Sequence, residues 1–142
     1  MKKLFLLLLF FPTAYAQDYF QQEVNHVINV TLDDKNHILR AFEEIEYVNN
    51  APVALDTIYM HLWPNAYKST FSALGRQKME DGDLDLHFSD SISKGFIDSL
   101  DFKLNGEPIS FSYHPEFIDV GVLVLPRSIK PGERAKITTP FR

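Results

Sequence analysis

From Val24 to Leu32 the even positions read Val24, His26, Ile28, Val30 and Leu32, while the intervening positions are mostly polar, a period of two that predicts a half-buried strand. A turn at "DDKN" leads into a second strand over about Ile38 to Val48. There Leu39, Ala41, Ile45 and Tyr47 share one face, and Arg40, Glu44 and Glu46 the other. "NNAP" breaks it, and Thr57 to Trp63 forms a third strand, ended by Pro64, which lacks an N–H and holds Trp63 extended. A single short helix is expected over residues 70–81, with Phe71, Leu74 and Lys78 at helical spacing and Gly82 just past its end. Leu84, Leu86 and Phe88 alternate with Asp83, Asp85 and His87 as a fourth strand, and Phe96 to Leu104 alternates again. Asn105-Gly106 is a strong hairpin signal, returning through Ile109, Phe111 and Tyr113. Val120 to Leu125 and Arg134 to Phe141 make a last pair around "KPGE". The pattern predicts an all-β, mainly antiparallel fold, a saddle-like or sandwich sheet with one peripheral helix near residues 70–81.

The first residues change this picture only by setting a boundary. "MKKLFLLLLFFPTAYAQ" has two lysines, an apolar run from Leu4 to Phe11 and the small-x-small pattern of Ala14 and Ala16. It reads as a signal peptide over residues 1–16, cleaved before Gln17, and the run is too short for a membrane anchor. The protein is therefore expected to be secreted or periplasmic, with residues 17–142 as one domain. The chain has no cysteine, so its fold must hold without disulfides. Its net charge is −5, and losing Lys2 and Lys3 makes the remainder more acidic, which argues against a nucleic-acid partner.

Candidate chemistry is sparse. His26, His37, His61, His87 and His114 are never at metal-ligand spacing, and there is no HExxH and no glycine-rich phosphate loop. The acids of "EDGDLDLHFSD" lack the order of a calcium loop and read as a helix end and a solvated strand face. "NVT" at Asn29 is a glycosylation sequon in mid-strand. Glu43 and Glu44 are adjacent on a strand, so they point to opposite faces and cannot share a substrate. No catalytic and no metal-ligating residue is assigned.

One stretch stands out. In "IYMHLWPNAY" the even face carries Ile58, Met60 and Leu62, and the odd face Tyr59, His61 and Trp63, the last being the only tryptophan. Both faces are largely apolar or aromatic, so the strand is expected either to be central to a two-layer core or to have its second face covered by another surface, and the acidic β domain's lack of chemistry of its own favours the latter. Tyr59, His61, Trp63 and Tyr67 are the candidate domain-interface residues.

"FQQEVNHVINVTLDDKNHILRAFEEIEYVNNAP", "IYMHLWPNAYKST", "GFIDSLDFKLNGEPISFSY" and "LPRSIKPGERAKITTPF" together resemble the N-terminal β domain of secreted bacterial peptidases of the M1 family, the gluzincin aminopeptidases. "HLWPNAY" and "EEIEYVNN" carry most of the specificity, and Ala41 departs from the pattern where glycine is expected. The resemblance implies a saddle-shaped antiparallel domain, cut short of its later strands, that packs against a downstream catalytic domain of the same polypeptide. That domain would hold one zinc ion through HExxH and a later glutamate, carry GxMEN and act on peptide substrates. This chain contains none of those motifs, so it is expected to bind no cofactor and to be inactive alone. The competing reading is a free-standing secreted β-sandwich module that binds protein or glycan.

Overall fold

The alternating stretch near the start folds into a long hairpin. β1 (Glu23–Asp33) and β2 (Ile38–Val48) pair antiparallel without a break, from Glu23 opposite Val48 to Asp33 opposite Ile38. Asp33 closes the turn by accepting from the backbone N (3.1 Å) and Nδ2 (2.8 Å) of Asn36. His37 supplies the left-handed residue, with φ 55. The computed structural model describes residues 19–142, so the expected signal peptide and its cleavage point at Ala14, Ala16 and Gln17 lie outside the described residues.

The chain continues through β3 (Leu55–His61), a 3-10 turn (Trp63–Tyr67), α1 (Ala73–Glu80), α2 (Asp85–Phe88), β4 (Lys103–Leu104), β5 (Glu107–Pro108), β6 (Ser110–Tyr113), β7 (Val120–Ile129) and β8 (Arg134–Phe141). The strands form two antiparallel sheets, ordered β1-β2-β8-β4-β5 and β3-β7-β6. In the first, Ile137 of β8 lies between Ile45 of β2 and Leu104 of β4. In the second, Leu123 of β7 lies between Ile58 of β3 and Phe111 of β6. Side chains from both sheets join Phe102, Ile109, Leu125 and Ile129 in one core, where each buried aliphatic contributes roughly 1.5–3 kcal/mol. Gly121 makes room for this: a Cβ there would stand 2.8 Å from the Phe111 ring.

The all-β, antiparallel character follows the hydrophobic alternation, but several elements differ from the pattern's prediction. Leu84 to Phe88 is not a strand. Asp83 Oδ1 accepts the backbone N–H of Asp85 (3.1 Å), and the segment curls into α2, burying Leu86 and leaving Leu84 and Phe88 outside. A single buried side chain fits one helical turn as well as a strand, and the local side-chain-to-backbone bond of Asp83 favours the turn. Trp63 is not held extended by Pro64 but opens the 3-10 turn, with proline in the first turn, where its missing N–H costs nothing. The third strand accordingly ends at His61. Only Lys103–Leu104 of the stretch 96–104 is strand, because the preceding backbone is tied down by side chains instead. Asn65 Oδ1 accepts from Ile97 N (3.0 Å), and Thr139 Oγ1 from Asp101 N (3.0 Å). The helix of residues 70–81 is present but shorter, opened by Ser72, whose Oγ accepts from Gly75 N (3.0 Å).

The largest difference is in topology. β7 and β8 are not a hydrogen-bonded pair: they lie in different sheets. "KPGE" is indeed a tight turn, with Glu133 N donating to Lys130 O (3.0 Å) and Gly132 at φ 75, but it carries the chain from one layer to the other. β8 then inserts between β2 and β4, so it is paired on both sides rather than left as an open edge. A turn motif fixes the reversal of the chain and not the partner of the strand that follows.

Candidate interface surface

At the His61 end of β3 the outward side chains meet the β6–β7 loop. Tyr59 and His61 point away from the core because Ile58 and Met60 take the inward positions. His61 Nε2 lies 3.0 Å from Asp119 Oδ2, and the Asp119 carbonyl accepts from Leu62 N (2.7 Å), so backbone and side chain dock the loop onto the strand. The Trp63 ring sits edge-on to His61 with centroids 4.6 Å apart. From the loop, His114 lies 6.5 Å from Tyr59 and 5.1 Å from Phe117. The result is a band of five rings along one side of the smaller sheet. Tyr59 is 66% exposed and Trp63 57%.

Beneath the band, Asp119 is nearly buried and its Oδ1 has no hydrogen-bond partner. Tyr67 is not part of the band. It ends the 3-10 turn, facing the segment around Gly95, where a Cβ would come 3.8 Å from its own Cβ. The structure thus brings together Tyr59, His61 and Trp63, adds His114, Phe117 and Asp119, and leaves Tyr67 elsewhere. The added residues gave no local signal, for His61 and Asp119 are 58 positions apart and become neighbours only through sheet pairing.

A second open surface lies on the larger sheet. Beyond Ile45 the inward face of the β1–β2 hairpin outruns the core, leaving Ile28, Val30, Leu32 and Leu39 exposed. A cleft of about 580 Å³ runs beside it, between the hairpin turn, Pro64, the 91–97 segment and Phe141–Arg142. His26, on the same face, has Nδ1 2.8 Å from Glu43 Oε1 on the paired strand. Glu44, on the opposite face as expected, pairs with Lys136.

Comparison with protein-family models, with curated proteins and with solved structures finds no match to this chain. Among the described residues, no three His, Asp or Glu side chains gather closely enough to hold a metal ion. Among the same residues no helix is long and apolar enough to cross a membrane.

Proposed function

We propose that this chain is the noncatalytic N-terminal β portion of a secreted zinc aminopeptidase of the M1 type, and that it packs against and supports a separate catalytic domain. The motif resemblance at "HLWPNAY" and "EEIEYVNN" suggests the family, and one structural observation supports the supporting role: the ring band of Tyr59, His61, Trp63, His114 and Phe117 is a wide, half-exposed aromatic surface where the end of β3 meets the 3-10 turn and the β6–β7 loop. Such surfaces are commonly interfaces. In this reading the rings pack against the partner domain's surface. Peptide hydrolysis, and the zinc it requires, belong to the partner.

The test compares the chain alone with the same chain continued into a catalytic domain carrying HExxH. Trp63 emission should be red in the chain alone and shift to the blue in the longer protein, with added hydrogen-exchange protection over residues 57–63 and 113–119. Unchanged spectra and protection in the longer protein would remove the support for this interface.

The same band favours one alternative, a free-standing module that binds glycan. The exposed Tyr59 and Trp63 rings match the apolar faces of a sugar, against which aromatic rings stack. Quenching or blue-shifting of Trp63 by soluble oligosaccharides would support that reading.

A further inference from the structure

β1 is an edge strand of an unusual kind. Among the described residues nothing pairs with its outer side, so along that side alternate backbone N–H and C=O groups are open. Natural edges are ordinarily blunted by lysine, proline or a bulge. β1 has no lysine, proline or glycine, and its register with β2 runs unbroken over eleven residues. Its side chains are exposed on both faces, including Val27, Ile28, Val30 and Leu32.

About Ile28 the outer positions of the strand match in character, while the two nearest pairs do not. Stepping outward, the pairs are Val27 and Asn29, His26 and Val30, Asn25 and Thr31, Val24 and Leu32, and Glu23 and Asp33. In an antiparallel pair, directly opposed residues share a face, so two copies joined about Ile28 would set Val24 against Leu32 and Ile28 against Ile28. That extends the apolar stripe, already bordered by Leu39 of β2 opposite Leu32, across both molecules.

We propose that β1 is a self-association edge: two copies of this chain pair antiparallel through Glu23–Asp33 about a two-fold axis at Ile28, joining their larger sheets into one. An edge of eleven residues at about 3.4 Å rise is ~37 Å long, and at a thickness of ~10 Å it buries roughly 370 Å² per copy. The total of about 740 Å² is below the ~1,200 Å² of stable complexes, which makes the dimer weak and concentration-dependent. Like charges meet at the ends, where Glu23 opposes Asp33, so added salt strengthens the pairing by screening them.

Sedimentation of the purified protein from micromolar to millimolar concentration should show a monomer giving way to a dimer, with more dimer at high salt. Ile28→Lys places two ammonium groups face to face and should weaken the dimer by about tenfold or more. Phe71→Lys, on an exposed side chain remote in sequence from β1, should leave it unchanged. Because the chain has no cysteine, single cysteines report the register. Ile28→Cys should cross-link to itself on oxidation, whereas Val24→Cys and Leu32→Cys should cross-link to each other when mixed and not to themselves. A monomer at all concentrations, loss of the dimer in Phe71→Lys, or cross-linking strongest at another register would overturn the proposal. None of these outcomes bears on the ring band of the other sheet.

Discussion

Two asparagines do more to position the surfaces than any hydrophobic residue. Asn49 is fully buried at the end of β2, and every polar atom of its side chain is used. Nδ2 donates to the carbonyls of Val53 (2.9 Å) and Ile129 (2.8 Å), and Oδ1 accepts from Ala51 N (2.9 Å) and Gln22 Nε2 (3.3 Å). Its backbone N–H donates to Glu133 O (3.0 Å), and its carbonyl accepts from Gly132 N (2.7 Å). Asn49→Ala would leave the Ile129 carbonyl and the Ala51 N–H buried without partners, so it should cost roughly 3 kcal/mol, read as a lower urea midpoint with an unchanged m-value. From sequence "NNAP" is legible only as a strand break. The hub at its first residue depends on Ile129 and Glu133, about eighty positions away. Asn65 in "HLWPNAY" is similar: the motif drew attention through its tryptophan and histidine, yet the buried asparagine is the residue that holds Ile97 and the irregular 91–97 segment.

At the scale of elements, legibility follows how local the deciding interaction is. β1, β2 and the Asn105-Gly106 hairpin were readable because alternation and turn chemistry lie within a few residues. Asn105 and Gly106 take φ 50 and 92, the paired left-handed values of a tight hairpin turn. α2 misleads because its alternation of Leu84, Leu86 and Phe88 satisfies a strand pattern while Asp83 supplies a helical start. α1 shows a cap with a second duty. Ser72 Oγ accepts from Gly75 N (3.0 Å) and donates to the Ala66 carbonyl (2.5 Å), tying the helix to the 3-10 turn. Gly75 permits that closeness, since a Cβ there would lie 2.6 Å from the Thr70 carbonyl oxygen. Ser72→Ala should therefore destabilise by about 2 kcal/mol rather than the ~1 kcal/mol of a simple cap loss, with exchange rising in both α1 and residues 63–67. Protection lost in α1 alone would mean that the second bond contributes little.

For the whole molecule, the sequence indicated antiparallel strands but not which strands join which sheet, since alternation specifies a buried face and leaves the neighbour open. Asn49 joins the two layers, and residue 142 ties the end of β8 to the segment that leads into β4. Asp98 and Arg142 exchange backbone hydrogen bonds (2.9 and 3.0 Å), and the guanidinium grips the carboxylate through Nε (3.0 Å) and Nη2 (2.6 Å). Arg142 holds the Asp98 carboxyl below its usual range. A depressed folded value means that the contribution is present above the unfolded carboxylate's pKa, near 4, and is lost as pH falls through the lower folded value. Thermal melts of Asp98→Asn should therefore show a slightly lower Tm at neutral pH, with the difference from the parent chain closing in acid. A gap that persists at low pH would assign the loss to packing. The position of β8 has one further consequence, for the order of events in time. It follows every other strand in the sequence yet occupies the middle of the larger sheet, so β2 and β4 have no common neighbour until it arrives. A chain emerging N-terminus first, from a ribosome or through a translocation pore, can close the β1–β2 hairpin early but cannot complete this sheet until residues 134–141 are free. Until β8 has emerged the larger sheet stays in two unjoined parts, β1–β2 and β4–β5.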